Sequence, residues 1–247
     1  MIPPERIARR FGAAAETYAE AAHIQRRVAD ALADAVLAAG PATGGRVAEF
    51  GCGVGFLTER LAPALAPALW LASDLAPQMT AALERRLSLP GLRTAVIDAA
   101  QPDLEPGFDL VCSSLTLQWL PDPGRAIAAW RRLVRPGGLL AFSTLLDGTF
   151  AQWRGALEAA GADWPGPRLQ TAADLAKRLS PTAMVQIFEQ VDRHSTALSF
   201  LRAARLTGVD AGMGETLRAG AMRRAMRALD AGGARVTYRA AIVVEMV

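Results

Sequence analysis

The sequence has few of the side chains that metal-dependent and nucleophilic enzymes use. Among its 247 residues there are two cysteines and two histidines. Because only His23 and His194 are available, a histidine-based metal site is poorly supplied, and we expect no metal. Cys52 and Cys112 each lie within an apolar segment, which is typical of buried, reduced thiols and not of a disulfide framework.

Long apolar runs are missing as well. Proline, arginine or aspartate interrupts each apolar segment before it is long enough to cross a bilayer, so we expect no membrane partner. The opening residues MIPPERIARRFG have no apolar stretch of the kind found in signal peptides. With the cysteine usage, these features predict a cytoplasmic protein.

Lysine is nearly absent, since Lys177 is the only one in a chain with a net charge of +3. Arginine carries the rest of the positive charge, in scattered pairs such as Arg9–Arg10 that have no aromatic residues between them. This is not the footprint of a nucleic-acid-binding surface, so no nucleic-acid partner is expected. Compositional bias and a surface for an acidic partner both explain the arginines, and the composition leaves both open.

What the chain does contain is a regular alternation of apolar runs and helical segments from residue 46 onwards. Continuous apolar strands are typical of a parallel sheet that helices cover on both faces. The predicted strands are Arg46–Phe50, Leu69–Asp74, Leu92–Asp98, Phe108–Ser114 and Leu139–Leu145. The predicted helices between them are Phe56–Ala66, Pro77–Ser88 and Pro123–Val134. These elements predict an α/β fold with a doubly wound sheet.

The remaining regions are predicted to complete a single domain over residues 1–247. Residues 1–40 have helical spacing and predict an N-terminal helical cover, ahead of a core at 41–146. Residues 147–231 predict a helical lid or substrate region, inserted after the fifth strand, with a sixth strand in AMVQIFEQVDRHS. Residues 236–247 predict a C-terminal strand.

A glycine-rich turn follows the first predicted strand, in the stretch VAEFGCGVGF. Its pattern is E-x-G-x-G-x-G, formed by Glu49, Gly51, Gly53 and Gly55. A dinucleotide site needs a third glycine at the position of Phe56. A nucleophile elbow would place its nucleophile where this chain has Gly53, and a P-loop would need a Gly-Lys-Ser/Thr sequence that the chain lacks.

The turn resembles motif I of the class I S-adenosylmethionine-dependent methyltransferases, in which a bare backbone can approach the methionine part of the cofactor. The resemblance implies that Asp74, at the end of the second strand, accepts hydrogen bonds from the ribose hydroxyls. Asp98, at the end of the third strand, is the matching acid for the adenine amine. A simpler role for Asp74, capping the helix that starts at Pro77, stays open. The implied cofactor residues are Glu49, Gly51, Gly53, Gly55, Asp74, Leu75, Met79, Asp98, Ala99 and Ser114.

A narrower resemblance rests on three other segments. These are RFGAAAETYAEAAHIQRRVADAL, LTLQWLPDPGRAIAAWRRLVRPGGLLAFSTLLDGTFAQWR and FLRAARLTGVDAG. Together they resemble the malonyl-acyl-carrier-protein O-methyltransferase family of biotin synthesis. The resemblance implies a seven-stranded Rossmann-like methyltransferase sheet. It also implies methyl transfer from S-adenosylmethionine to the free carboxylate of a malonyl thioester, with malonyl acyl carrier protein or malonyl-CoA as partner.

Residue chemistry suggests how the acceptor is held. Arg202 or Arg205, on the predicted lid, suits a carboxylate, with Tyr18 as a second donor. Gln118 and Trp119 are predicted to line the substrate channel. A solvated helix face for both arginines, and a core position for Trp119, stay open.

An acyl carrier protein is acidic, so exposed arginines near the channel would favour docking. The candidates are Arg9, Arg10, Arg218, Arg223, Arg224 and Arg227. Three other functions remain as alternatives: methylation of another small carboxylic acid, a cofactor-binding module without activity, and a nicotinamide oxidoreductase.

Overall fold

A seven-stranded sheet forms the centre of the computed structural model, which describes residues 2–209 and 217–247. The strands are β1 (Arg46–Phe50), β2 (Leu69–Asp74), β3 (Leu92–Val96), β4 (Phe108–Ser114), β5 (Val134–Leu145), β6 (Met184–Arg193) and β7 (Arg235–Met246). Their order across the sheet is β3-β2-β1-β4-β5-β7-β6. The first five strands are parallel, whereas β7 runs antiparallel to both β5 and β6. The predicted doubly wound, seven-stranded sheet is therefore confirmed.

Helices cover both faces of this sheet. Within the described residues they are α1 (Pro4–Ala21), α2 (His23–Ala38), α3 (Phe56–Leu65), α4 (Pro77–Arg86), α5 (Pro123–Leu133), α6 (Ala151–Ala159), α7 (Ala172–Ala176), α8 (Ala197–Leu206) and α9 (Ala219–Ala231), with a 3-10 helix at Leu117–Trp119. One apolar core joins α2, α3 and α4 to one face of the sheet, and a second joins α5 to the other. None of the helices in this part of the chain has the length and apolar character needed to cross a membrane.

The strands β3, β5 and β6 differ in length from the prediction, and β6 spans Met184–Arg193 within the predicted AMVQIFEQVDRHS. β5 begins at Val134, five residues before the predicted Leu139, so RPGG belongs to the strand and not to the end of a helix. Gly138 makes this possible, because a Cβ there would lie 2.8 Å from the carbonyl oxygen of Asp109 on the neighbouring strand. β3 ends at Val96, before the predicted Asp98, because the Asp98 carboxylate accepts a hydrogen bond from the N–H of Ala100 and turns the chain.

The region after β5 contains α6, α7, β6, α8 and α9, as the sequence predicts in outline. α8 packs against α1, where the Thr17 hydroxyl donates a hydrogen bond of 2.9 Å to the carbonyl of Leu206. Gly208 lies directly against the backbone of Phe11. Residues 210–216, which include the end of FLRAARLTGVDAG, lie outside the described residues. The role of residues 147–231 as a lid, and the domain limits, remain predictions.

Candidate active site

The glycine turn lies at the carboxyl end of β1, where open α/β sheets bind their ligands. Gly51, Gly53 and Gly55 have φ angles of +64°, +53° and +88°, a region that favours glycine. Their surroundings differ. A Cβ on Gly51 would lie 1.9 Å from the Thr116 hydroxyl, and one on Gly55 would lie 3.0 Å from Leu83, whereas one on Gly53 would meet nothing within 4 Å. Gly53 therefore borders open space.

Asp74 lies beside this turn, at the end of β2. Its carboxylate accepts hydrogen bonds from the N–H of Gly53 at 3.0 Å and from the N–H of Ala76 at 2.9 Å. Burial raises the pKa of the Asp74 carboxyl above its usual range, although these backbone donors partly offset the shift. The Ala76 bond shows that Asp74 does organise the turn before α4. Each carboxylate oxygen has a second lone pair, so acceptor capacity remains for a ligand.

A cavity of about 280 Å³ opens in front of Asp74 and the turn. Asp98 borders it after the end of β3. The predicted cofactor residues in its wall are Gly51, Gly53, Asp74, Leu75, Met79, Asp98, Ala99 and Ser114. Eight of the ten predicted residues are thus brought together around one space. Gly55, in contrast, packs against Leu83 and is not part of the wall.

Glu49 occupies a different place, at 1% exposure below the turn. One of its carboxylate oxygens, Oε2, accepts hydrogen bonds from the Thr58 hydroxyl at 2.5 Å and the Trp70 indole N–H at 2.9 Å. Burial raises the pKa of Glu49 to about 7, against the opposing effect of these two donors. Glu49 lines a second, smaller cavity that adjoins the first.

The N-terminal helix α1 forms the outer wall of the large cavity. Pro4, Ile7, Phe11 and Tyr18 all face it, at spacings of three, four and seven residues that place them on one side of the helix. The Phe11 ring meets Trp119 edge-on, with ring centroids 5.4 Å apart. Burial, and to a lesser extent the charge of Asp74, raise the pKa of the Tyr18 hydroxyl, so Tyr18 remains a protonated donor.

Only some of the predicted substrate residues lie at the large cavity. Tyr18 and Trp119 line the large cavity, but Gln118 does not. The Gln118 amide instead donates to the carbonyl of Leu115 at 2.6 Å and accepts from the N–H of Leu145, which fastens the 3-10 helix to β5. Arg202 and Arg205 are exposed on α8 and are not in the wall of either cavity. Their role remains a prediction.

Several wall residues were not predicted from the sequence. They are Pro4, Ile7, Phe11, Ile97, Ala100, Gln101, Leu115, Thr116, Leu120 and Pro121. The spacing of Pro4, Ile7 and Phe11 on α1 was a readable signal. No sequence signal marks Leu115, because its position depends on an unusual backbone φ of +54°. The Leu115 N–H stabilises this conformation by donating to the carbonyl and the hydroxyl of Ser143.

These residues fit S-adenosylmethionine. Gly51 and Gly53 leave a bare backbone at one end of the cavity, and the carboxylates of Asp74 and Asp98 border the same space. Carboxylates accept the hydrogen bonds that ribose hydroxyls and an adenine amine donate. The apolar wall contributed by Leu75, Met79 and Ile97 suits the flat faces of a nucleoside.

Comparisons with known proteins agree with this geometry. Residues 48–142 match the Methyltransferase domain family. The solved structure of the YcgJ protein of Bacillus subtilis has the same fold, with a TM-score of 0.61 at 12% identity over 87% of this chain and 97% of that one. Phosphoethanolamine N-methyltransferase 2 of Haemonchus contortus, solved with S-adenosylhomocysteine and phosphomonomethylethanolamine, aligns with a TM-score of 0.56 at 18% identity, over 86% of this chain and 52% of that one.

Curated relatives extend over almost the whole chain. The biotin biosynthesis bifunctional protein BioCD of Bordetella avium is 37% identical over 96% of this chain, which spans about half, 51%, of that longer protein. The malonyl-[acyl-carrier protein] O-methyltransferase of Magnetococcus marinus is 33% identical over 94% of this chain and 89% of its own length. The family resemblance seen in the sequence is confirmed, and the chain belongs to the malonyl-[acyl-carrier protein] O-methyltransferase family.

Proposed function

We propose that the protein moves the methyl group of S-adenosylmethionine to the free carboxylate of a malonyl thioester on acyl carrier protein. The product is the malonyl methyl ester that primes pimeloyl formation in biotin synthesis. Family membership makes the chain a methyltransferase with S-adenosylmethionine as its cofactor. The observation that carries the proposal is the cavity at the ends of β1 to β4, where the glycine turn, Asp74 and Asp98 meet under an aromatic wall.

The residues around the cavity suit an acceptor that needs no deprotonation. Bound S-adenosylmethionine supplies an electrophilic methyl group on a sulfonium. A carboxylate is already ionised near pH 7, so no general base is required. Within the described part of the chain, the wall of the large cavity contains no histidine, lysine or cysteine. The chain contributes by binding and orienting the two reactants and by excluding water.

The aromatic wall is the part that faces the acceptor. Tyr18 offers a buried hydroxyl, and Phe11 and Trp119 close the cavity from the side of α1. We infer that the Tyr18 hydroxyl donates to the malonyl carboxylate, with Arg202 or Arg205 of the adjoining α8 as the charged partner. A Tyr18→Phe variant keeps the ring contacts with Phe11 and Phe56 and removes only the donor. It should lower kcat/KM by about tenfold.

The helices α8 and α9 carry more arginines than acidic residues, whereas α1 carries three of each. The exposed arginines Arg9 of α1, Arg202 and Arg205 of α8, and Arg223 and Arg227 of α9 form no salt bridge with any described residue. α8 packs against both α1 and α9, which places these arginine-bearing helices next to one another. A basic surface of this kind favours the approach of an acidic carrier protein.

Mass spectrometry of the acceptor tests the proposal directly. Malonyl acyl carrier protein, malonyl-CoA and free malonate are each incubated with the enzyme and S-adenosylmethionine. A gain of one methyl group on the carrier-bound malonyl, faster than on the other two, is the expected result. Methylation of free malonate or of an unrelated small carboxylic acid in preference to both thioesters would overturn the assigned acceptor. Such a result would favour the alternative of a small-acid O-methyltransferase.

A further inference from the structure

The small cavity adjoins the large one at the glycine turn. Both are lined by Tyr18, Gly51, Gly53, Ser114 and Leu115, so the two spaces share one boundary. The small cavity has a volume of about 40 Å³, enough for roughly three water-sized groups. Asp74 and Asp98, the acids suited to a nucleoside, line the large cavity and not the small one.

Gln25 reaches this small cavity from the first turn of α2. Its neighbours in sequence are used elsewhere, since Ile24 is buried in the core and Arg26 donates to Glu59 at 2.9 Å. The Gln25 side chain is partly buried, and its amide makes no hydrogen bond to any described residue. The donors and the acceptor of this amide are therefore available to a ligand in the small cavity.

The Glu49 carboxyl at the small cavity indicates the chemical class of this ligand. Glu49 uses Oε2 for both of its hydrogen bonds, so Oε1 has no partner among the described residues. An amide both donates and accepts, and a carboxylate oxygen accepts. The small cavity is therefore suited to a compact group that carries both donors and acceptors, which is the chemistry of an amino-acid end with its ammonium and carboxylate.

We propose that Gln25 binds the amino-acid end of S-adenosylmethionine in the small cavity. The inference rests on the proposed function, because it takes the cofactor as given. The Gln25 N–H groups donate to the ligand's carboxylate. The nucleoside then lies in the large cavity, and Gln25 acts as a positioning residue that fixes where the cofactor's other end enters it.

Two ligands separate this role from a general effect on the site. S-Adenosylhomocysteine carries the amino-acid end, whereas 5′-methylthioadenosine has the same nucleoside without it. Calorimetric titration of Gln25→Ala should show about a tenfold weaker Kd for S-adenosylhomocysteine and an unchanged Kd for 5′-methylthioadenosine. If the alanine variant folds poorly, Gln25→Met takes its place, since methionine keeps the length of the side chain. It should give the same two results.

Gln101→Ala is the matched control, because Gln101 lines only the large cavity, near Asp98. Any loss in that variant should be equal for the two ligands. Equal losses for the Gln25 variants, or a Kd for S-adenosylhomocysteine like that of the unmodified protein, would overturn the role of Gln25. Methylation of malonyl carrier protein at the normal rate would leave the proposed function standing in that case. If the unmodified protein bound neither ligand, the cofactor assignment itself would fail, and with it this inference.

Discussion

At the scale of single residues, Glu49 below the glycine turn makes the stability of the folded protein depend on pH. Its carboxyl is buried, and its pKa is raised to about 7. A raised carboxyl pKa means that the folded state holds a proton that the unfolded state has already released. The protonated Glu49 carboxyl therefore contributes to stability at low pH, and this contribution is lost as the pH rises from about 4.5 to 7.

Glu49→Gln tests this coupling, because a glutamine can present its carbonyl oxygen to Thr58 and Trp70 as Oε2 does. The variant has no carboxyl to titrate. Its stability relative to the unmodified protein should thus rise by about 2 kcal/mol between pH 5 and pH 8. Urea unfolding at the two pH values measures the difference. If the difference in the free energy of unfolding between the two proteins were the same at both pH values, Glu49 would already be ionised at pH 5.

Gln118 shows what residue-level reasoning from sequence misses. Its place beside Trp119 suggested a role in the substrate channel, but its amide is occupied by Leu115 and Leu145. Two neighbouring residues on a 3-10 turn point about 120° apart, and only the fold decides which one faces the cavity. The positions of Asp74 and Asp98 could be predicted because Asp74 ends β2, Asp98 comes shortly after β3, and the ends of parallel strands meet at one edge of the sheet.

At the scale of elements, the three glycines of the turn make separable contributions. Gly51 and Gly44 both have positive φ, of +64° and +74°, but only Gly51 faces a close neighbour, Thr116. Gly44→Ala should cost about 1 kcal/mol through backbone strain alone. Gly51→Ala should cost clearly more, because the Thr116 side chain must also move. Thermal unfolding of the two variants gives the comparison, and equal losses would contradict a packing role for Gly51.

Gly53→Ala should separate ligand binding from folding. Nothing lies within 4 Å of a Cβ at this position, and the φ of +53° is similar to that of Gly44. The loss of stability should therefore match that of Gly44→Ala. The new methyl group would stand in the cavity, however, and should weaken S-adenosylhomocysteine binding at least tenfold, measured by calorimetry. Undiminished binding would mean that the ligand does not approach the turn at Gly53.

The elements also show where sequence patterns stop being informative. β1, β2 and β4 match the predicted bounds, since each is a short apolar run between turn signals. β5 starts five residues early because Val134 pairs with Phe108 across a shift in register. That pairing depends on β4 and on Gly138, which local sequence does not reveal. The predicted N-terminal helical cover consists of two helices, and the break between them falls at Ala22.

At the scale of the whole molecule, the arrangement of α1, α8 and α9 could not be read from the sequence. Each helix has a recognisable apolar face, but the packing of α8 against both α1 and α9 is set by tertiary contacts alone. This packing places helices whose arginines are distant in sequence next to one another. The proposed docking surface therefore depends on helix contacts that the sequence does not reveal.

The double variant Arg223→Glu with Arg227→Glu tests that surface. Both side chains are exposed on α9, so the fold should tolerate the change. The KM for malonyl acyl carrier protein should rise about tenfold, and its dependence on salt should weaken, because long-range attraction is lost. The KM for malonyl-CoA should change much less, because coenzyme A offers no protein surface to dock.

Arg93→Glu is the control, since Arg93 is exposed on the edge strand β3, at the other end of the sheet from β6. If Arg93→Glu raised the carrier-protein KM as much as Arg223→Glu or Arg227→Glu alone, the effect would be one of net charge and not of a docking surface. If neither variant changed it, the acidic carrier would have to approach the cavity from another side.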